Sequence, residues 1–376
     1  MAPTVNTDVL IIGGGLSGLS LAVALIEQQT GMSVAVVEPR SRYNNDRTWS
    51  FWGPIHHRLD RLVARQWSQW SFGLKDSPSR TIEYSEKPYQ SVESIRFYRW
   101  AKDQIEAAPN VGLYLGETIE RCHKQDEIWS AASQQHQFNA RLVVDTRPPS
   151  NEQLHTSALY QCFVGQVIEA PGGFDPDCVE LMTDMASDEH GLSFTYCLPL
   201  SADQALVEFT RFAAHPIDWP VLETDLQTLK SRRGWLDAPV TRTERGVLPM
   251  GMPARQSDDP SYVYAGTSAG GLRAATGYGF WRIQRWAQCC AWALDRGQGP
   301  LAHPPEPKIQ GWMDDLFLRV LRSHPRRAPE LFFRLHQRVP AEVLIRFLSD
   351  ESNWIDKLKV VLSLPKRPFL AILLGR

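Results

Sequence analysis

The sequence predicts an α/β protein: a Rossmann-type dinucleotide-binding domain that carries an inserted antiparallel-sheet substrate domain and is followed by a C-terminal helical region. Three observations predict it. Residues 8–18 read DVLIIGGGLSG, an apolar strand running into a glycine turn, and Glu38 closes a second apolar run, VAVVE. Residues 158–212 hold four alternating runs, LYQCFVGQVIE, CVELMTDM, LSFTYCLPL and ALVEFTRF, the period of half-buried strands. Beyond Pro304, Pro305 and Pro307 the chain reads as helix to its end.

The first element carries most of the argument. Gly13 lets the chain turn sharply off the strand, Gly15 leaves its backbone open to a pyrophosphate, and Gly18 lets the following helix, SLAVALIEQQ, pack close to the sheet. The helix N-terminus offers free N–H groups and a positive dipole end to phosphate. Glu38, some twenty positions on, is placed to accept hydrogen bonds from ribose hydroxyls. With the motif at the extreme N-terminus, the expected cofactor is FAD rather than NAD.

The rest of the chain follows in order. Residues 39–54 read as a loop that includes NNDRTWSFW. It is either a tryptophan-bearing structural loop or one lying against the flavin, with Arg47 near the phosphates or the ring edge. Residues 94–107 read as an amphipathic helix, followed by strands through RLVVDT. Asp145 ends that last strand, beside the cofactor or in a local ion pair with Arg147. Residues 261–296 return to the first domain as strand, glycine-rich turn and long helix. Gly270, Gly271, Thr276 and Gly277 lie in that turn, where backbone N–H groups can wrap a ribityl chain or flavin ring. The expected organisation is FAD-binding over 1–75, 96–150 and 245–300, substrate sheet over 76–95 and 151–244, and a helical, membrane-facing region over 301–376.

Composition narrows the function. A net charge of −2 argues against nucleic acid as a partner of the whole chain. The six cysteines show neither metal spacing nor a disulfide framework. The N-terminus lacks a basic leader, and no apolar run is long enough to cross a bilayer. Thirteen tryptophans suit a large apolar pocket or a membrane interface. From Lys308 to Arg376 the chain carries 13 Lys and Arg against 7 Asp and Glu, among many Leu, Phe and Val. That block is either an ordinary solvated helical face or a surface for acidic phospholipid, where basic residues contribute roughly 1 kcal/mol each.

VEFTRF holds the candidate acid. Strand alternation puts Glu208, Thr210 and Phe212 on one face, with Val207, Phe209 and Arg211 on the other. By pattern alone Glu208 faces solvent. If its face lines a cavity instead, desolvation raises its pKa and makes it a group that holds and gives a proton.

GGGLSGLSLA with Glu38, RTWSFW, FVGQ, VEFTRF, GVLP, AATGYGF and FFRLHQRVPAEVLIRFLSD occur in this order over nearly the whole chain. Together they resemble the flavin-dependent lycopene cyclases of bacteria, of the beta-ring-forming kind. Two departures stand out. Many relatives carry proline near Ala275, and the acidic pair of the family is here Glu208-Phe209, with one acid. The resemblance implies FAD, active when reduced, with NAD(P)H as electron source and a linear carotene as substrate. It implies an isomerising ring closure without net redox change, with Glu208 as proton donor or closing base. Trp49, Trp52, Thr210 and Tyr278 are the expected substrate contacts. A hydrocarbon of about forty carbons loses tens of kcal/mol on entering water, at roughly 0.8 kcal/mol per CH₂. The expected location is therefore cytoplasmic and peripheral, on the inner face of the cell membrane, with other carotenoid enzymes as neighbours. The competing expectation is an FAD-dependent monooxygenase or halogenase-like oxidoreductase acting on a hydrophobic substrate.

Overall fold

The computed structural model describes residues 2–375. Strand β1 (Thr4–Ile12), helix α1 (Leu16–Glu27) and strand β2 (Val34–Glu38) make the first βαβ unit. All five residues of β2 are buried, as befits a parallel strand covered on both faces. Strands β3 (Thr48–Trp52), β4 (Arg65–Trp67), β5 (Gln69–Leu74), β6 (Arg80–Glu83) and β7 (Tyr89–Glu93) follow, then α2 (Ser94–Glu106) and β8 (Val111–Leu115). A hairpin, β9 (Cys122–Gln125) and β10 (Ile128–Ala132), leads to β11 (Gln137–Asp145) and the short α3 (Asn151–Leu154). Four long strands come next: β12 (Leu159–Glu169), β13 (Cys178–Asp188), β14 (Gly191–Pro199) and β15 (Gln204–Ala213). Helix α4 (Trp219–Arg232), β16 (Val240–Met250), β17 (Tyr262–Tyr264) and α5 (Phe280–Asp295) precede the C-terminal helices. These are α6 (Lys308–Ser323), α7 (Ala328–Arg338), α8 (Ala341–Leu348), α9 (Trp354–Ser363) and α10 (Lys366–Leu373).

Three sheets organise these elements. In the first, β8, β2, β1, β11 and β17 run parallel, and β10 and β9 add to β11 antiparallel. The strand order reverses at β1, so the crevice beyond its carboxyl end is the place for a dinucleotide. The second sheet has the order β16-β12-β15-β14-β13-β5-β6. The third is small, β3-β7-β4.

Two expectations need correction. The segment 39–54 is not all loop: Thr48–Trp52 forms β3, paired with β7. Its alternation of β-branched, aromatic and small residues is a strand pattern too short to stand out beside the preceding polar run. The second sheet also begins earlier than residue 76, because β5 at Gln69–Leu74 pairs with β13.

The second sheet is covered on both faces, and this decides where Glu208 sits. Helix α4 packs on the Val207 face, burying Leu222, Leu226 and Leu229 with Cys162, Val164 and Val207. On the Glu208 face the third sheet covers one end, with Trp52 and Tyr89 against Leu206 and Leu198. Helices α6 and α7 cover the other, with Leu318 and Phe332 against Phe194 and Phe212.

Candidate active site

The dinucleotide cradle grows out of β1. Gly13 has φ +103°, and a Cβ there would stand 2.6 Å from Thr146 Oγ1. A Cβ on Gly18 would stand 1.9 Å from the Gly13 carbonyl oxygen, so only glycine lets α1 approach this closely. Nothing lies within 4 Å of the Cβ direction of Gly15, and no side chain caps α1. Among the described residues the helix thus starts without a side-chain cap, beside open space at Gly15, the arrangement that accepts phosphate. Glu38, at the end of β2, accepts from Gly14 N–H at 2.7 Å and from Arg40 N–H and Nε at 3.0 and 2.6 Å.

The glycine-rich turn after β17 joins this cradle to the second sheet. At one end Gly266 lies against Ser17 of α1, its Cβ direction 2.9 Å from Oγ. Gly270 and Gly277 are left-handed, at φ +86° and +71°. Gly271 presses on the Gly266 carbonyl, and the Thr276 hydroxyl accepts from Tyr278 N–H at 3.3 Å. At the far end Gly277 faces Gln161 Oε1, a buried acceptor without a hydrogen-bond partner among the described residues. A buried acceptor left unpaired is uncommon, and a ring bearing an N–H donor would satisfy it. Open glycine, uncapped helix and orphaned acceptor together fit a flavin dinucleotide.

Two residues expected at the cofactor are engaged elsewhere. Both oxygens of Asp145 accept from Arg147, the shortest contact being 2.6 Å, and one also accepts from Tyr262 Oη at 2.7 Å. This is the local ion pair that the sequence left open. Arg47 donates to the carbonyls of Asp46 and Arg245 at 3.0 and 3.1 Å, tying its loop to β16.

The chemistry-bearing groups lie on the second sheet. Register sets Glu244, Gly165, Glu208 and Tyr196 side by side on one face across β16, β12, β15 and β14. The next row is Gly246, Phe163, Thr210 and Phe194, and the one beyond is Leu248, Gln161, Phe212 and Leu192. Glu208 therefore stands at the head of an apolar, aromatic strip that runs toward Gly277. It is buried, with 8% of its surface exposed. Burial raises its pKa well above the ordinary 4.5, and the neighbouring Glu244 carboxyl raises it further by charge and hydrogen bonding, against a lowering by Arg242. Glu244 accepts from Thr48 Oγ1 at 2.9 Å and pairs with Arg242 at 2.7 Å.

Phenols surround this carboxyl. Tyr196 and Tyr89 share a hydrogen bond at 2.9 Å, and burial pushes both hydroxyls well above their ordinary pKa, as it raises that of Tyr278. Strand β3 faces two ways. Thr48 and Trp52 point toward this site, and the Trp52 ring sits 4.7 Å from Trp70 and 4.8 Å from Tyr89. Trp49 points into the nucleotide domain, edge-on to Phe97 and Tyr98. The structure thus brings Trp52, Thr210 and Tyr278 to the Glu208 side and sends Trp49 away from it.

Glu244, Arg242, Thr48, Gly165, Tyr196 and Tyr89 are not evident from the sequence as site residues. One signal was available: Arg242, Glu244 and Gly246 alternate into GVLP, so a strand there puts an acid on the same face as the glycine. A second acid beside Glu208 is supplied from across the sheet, by Glu244 on the far side of Gly165.

The chain is 26% identical over 382 residues to a lycopene beta-cyclase of Pseudescherichia vulneris, covering 96% of this chain and 95% of that one. It is 23% identical over 385 residues to a lycopene beta-cyclase of Pantoea ananas, covering 97% of each. In fold it is similar to a geranylgeranyl bacteriochlorophyll reductase-like protein of Thermoplasma acidophilum, with TM-score 0.62, 12% identity and 96% of each chain covered. It is also similar to a flavin-dependent monooxygenase solved with FAD and substrate, with TM-score 0.60 and 13% identity, over 99% of this chain and 72% of that one. Residues 8–374 match the lycopene cyclase protein family, and the chain belongs to it.

Proposed function

We propose that this enzyme is a lycopene beta-cyclase that closes the ψ end groups of lycopene into β rings, through gamma-carotene to beta-carotene, without net oxidation or reduction. The observation that carries the reading is Glu208: a buried carboxyl whose pKa is raised by burial, at the head of an aromatic strip, with polar partners on one side and hydrocarbon-like walls on the other.

The steps balance on this chain's own groups. The Glu208 O–H gives its proton to the terminal carbon–carbon double bond, whose π electrons form the new C–H bond. The resulting tertiary cation is attacked by the neighbouring alkene, which forms the ring C–C bond. A C–H bond next to the relocated cation then breaks, its electrons make the β double bond, and its proton returns to carboxylate. Proton transfer by a positioned acid contributes typically 10²–10⁴-fold. Phe163, Phe194, Trp52 and Tyr278 present faces on which a cation gains about 1–2 kcal/mol each when water is excluded. Gly13, Gly15, Gly18 and Glu38 would hold FAD, which when bound and kept reduced by NAD(P)H would supply negative charge to stabilise a cation.

The substrate reaches the site from a membrane. No helix among the described residues is long and apolar enough to span one. Helices α9 and α10 expose Trp354, Ile355, Leu358, Leu362, Leu370 and Leu373, with Trp354 72% and Leu362 61% exposed. Lys359, Lys366 and Arg367 lie exposed among them. An apolar stripe flanked by cations suits the surface of an anionic bilayer. The α6–α7 layer that precedes these helices roofs the aromatic strip.

The test is anaerobic turnover of lycopene in liposomes with FAD and NADPH or dithionite. The reading expects a product of unchanged mass with a blue-shifted spectrum, formed only with reduced flavin. A product heavier by oxygen or lighter by hydrogen would replace it with the oxidative alternative.

A further inference from the structure

The two carboxyls of the site meet across a strand that has no side chain between them. Gly165 of β12 is the register partner of Glu208 on β15 and of Glu244 on β16. A Cβ on Gly165 would stand 2.6 Å from Glu208 Cγ, 3.0 Å from Oε1 and 3.2 Å from Cδ. The Glu208 side chain thus lies folded over the glycine, toward Glu244. In an ordinary sheet, residues two strands apart are held about 10 Å apart, at roughly 4.8 Å per strand, and an intervening side chain fills the gap. Here the gap is a window.

The partners on the two sides differ. Glu244 is clamped: Thr48 Oγ1 donates to Oε2 at 2.9 Å, Arg242 pairs with the same oxygen at 2.7 Å, and Arg242 also donates to Thr48 at 2.8 Å. This set gives Glu244 a cationic partner and a hydroxyl donor on one oxygen. No cation among the described residues pairs with Glu208, and Arg242 acts on it only through space. Its surroundings are Tyr196 of β14 beside it, the Tyr89 phenol of β7 behind Tyr196, Tyr278 from the glycine-rich turn, and the Glu244–Arg242 set of β16.

We propose that Glu208 and Glu244 form one interacting carboxyl pair, in which Glu244 is the positioning residue whose charge, held by Arg242 and Thr48, keeps the proton on Glu208 between turnovers and draws it back at the end of each one. This rests on the reading of Glu208 as the acid. It adds what that reading lacks, a reason for the same carboxyl to serve as acid and then base. With its proton the pair carries one negative charge. After the proton has gone to the alkene the pair carries two, and the substrate carries the compensating cation. Two adjacent carboxylates out of water repel, so the doubly charged pair is a stronger base than a lone carboxylate and takes back the proton released by the ring. One O–H bond breaks and one re-forms, with no other reactant.

The experiment uses Glu244→Gln, which keeps side-chain length and polar contacts but removes the charge. Turnover falls at high pH, where Glu208 has lost its proton. Removing the neighbouring charge makes that loss easier, so the alkaline limb of the kcat profile moves to lower pH by about one unit. The infrared band of a protonated carboxyl, assigned to Glu208 by its absence in Glu208→Gln, titrates lower by a similar amount. Gly165→Ala inserts a methyl into the window and shifts both readouts in the same direction, and it serves if the first variant does not fold. An alkaline limb and a band that stay in place in both variants, whatever the drop in rate, overturn the proposal and leave Glu244 a structural role. Near-normal turnover by Glu208→Gln overturns the acid assignment and the pair with it, whereas a dead Glu208→Gln beside an unshifted Glu244→Gln removes only the pair.

Discussion

Glu38 and Glu208 are the same side chain in two regions of the molecule, each on a strand and each buried, with 4% and 8% of its surface exposed. Glu38 sits where a helix begins and an arginine folds back. Gly14 N–H, Arg40 N–H and the Arg40 guanidinium all donate to it. Glu208 sits under a roof of phenols and indoles, and the neighbouring charge that acts on it most strongly is that of another carboxyl. The first environment supplies backbone and guanidinium donors. The second supplies phenols in place of cations and adds a like charge, which raises the carboxyl's pKa. Residue type alone says neither; the row of neighbours across the sheet does.

The sharpest way to break the contrast is to neutralise each glutamate in turn. Glu208→Gln is expected to cut cyclisation by about 10²–10⁴-fold while the flavin-to-protein ratio stays at the wild-type value. Glu38→Ala is expected to act on the cofactor instead. Losing charge-assisted hydrogen bonds worth about 1.5–3 kcal/mol lowers FAD affinity by roughly 10–100-fold, with turnover restored by excess FAD in the assay. A Glu38→Ala defect that excess FAD leaves uncorrected would blur the distinction. Substrate delivery is the next effect in size. Replacing Lys359, Lys366 and Arg367 with Gln is expected to weaken binding to anionic vesicles by about 10-fold or more and to flatten its salt dependence, at roughly 1 kcal/mol per charge. Binding that does not change in a sedimentation assay would remove α9 and α10 from the membrane face.

The smallest effect concerns stability. A carboxyl whose folded pKa lies above its unfolded value binds more protons in the native state, so its contribution is full below the ordinary pKa of 4.5 and is lost as pH rises through the folded value. Glu208 in the wild type therefore costs stability at high pH, and Glu208→Gln escapes the cost. Calorimetry is expected to show the variant melting about 2 °C higher at pH 8, with the difference closing toward pH 4. A variant less stable than wild type at pH 8 would place a compensating donor near Glu208.

The two regions also differed in how far the sequence revealed them. The cradle is local: strand, glycine turn, helix and Glu38 fall within residues 4–38, and the motif carries its own geometry. The four alternating strands of 158–212 were legible for the same reason. The acid site is assembled from β3, β7, β12, β14, β15 and β16, and nothing in VEFTRF says that the Glu208 face is covered. That depends on β3, hidden in a polar stretch, and on helices more than a hundred residues downstream. Trp49 shows the same limit. One strand residue from Ser50, it turns to the nucleotide core because β3 separates two packed layers. Asp145 and Arg147 were ambiguous in sequence because an Asp-x-Arg at a strand end serves equally as a cofactor contact or as a pair, and Tyr262 across the sheet settles the pairing.

The central claim is that a protein carboxyl adds a proton to the alkene with no net redox change. The most direct measurement is anaerobic turnover of lycopene in D₂O by the wild type and Glu208→Gln, side by side, with product mass read per ring. With the enzyme equilibrated in D₂O and in excess over lycopene, so that no ring proton is recycled, the account predicts one deuterium retained for each ring the wild type closes, no added oxygen, and no cyclised product from the flavin-loaded variant. Rings closed without deuterium, or at a near wild-type rate by the variant, would contradict it.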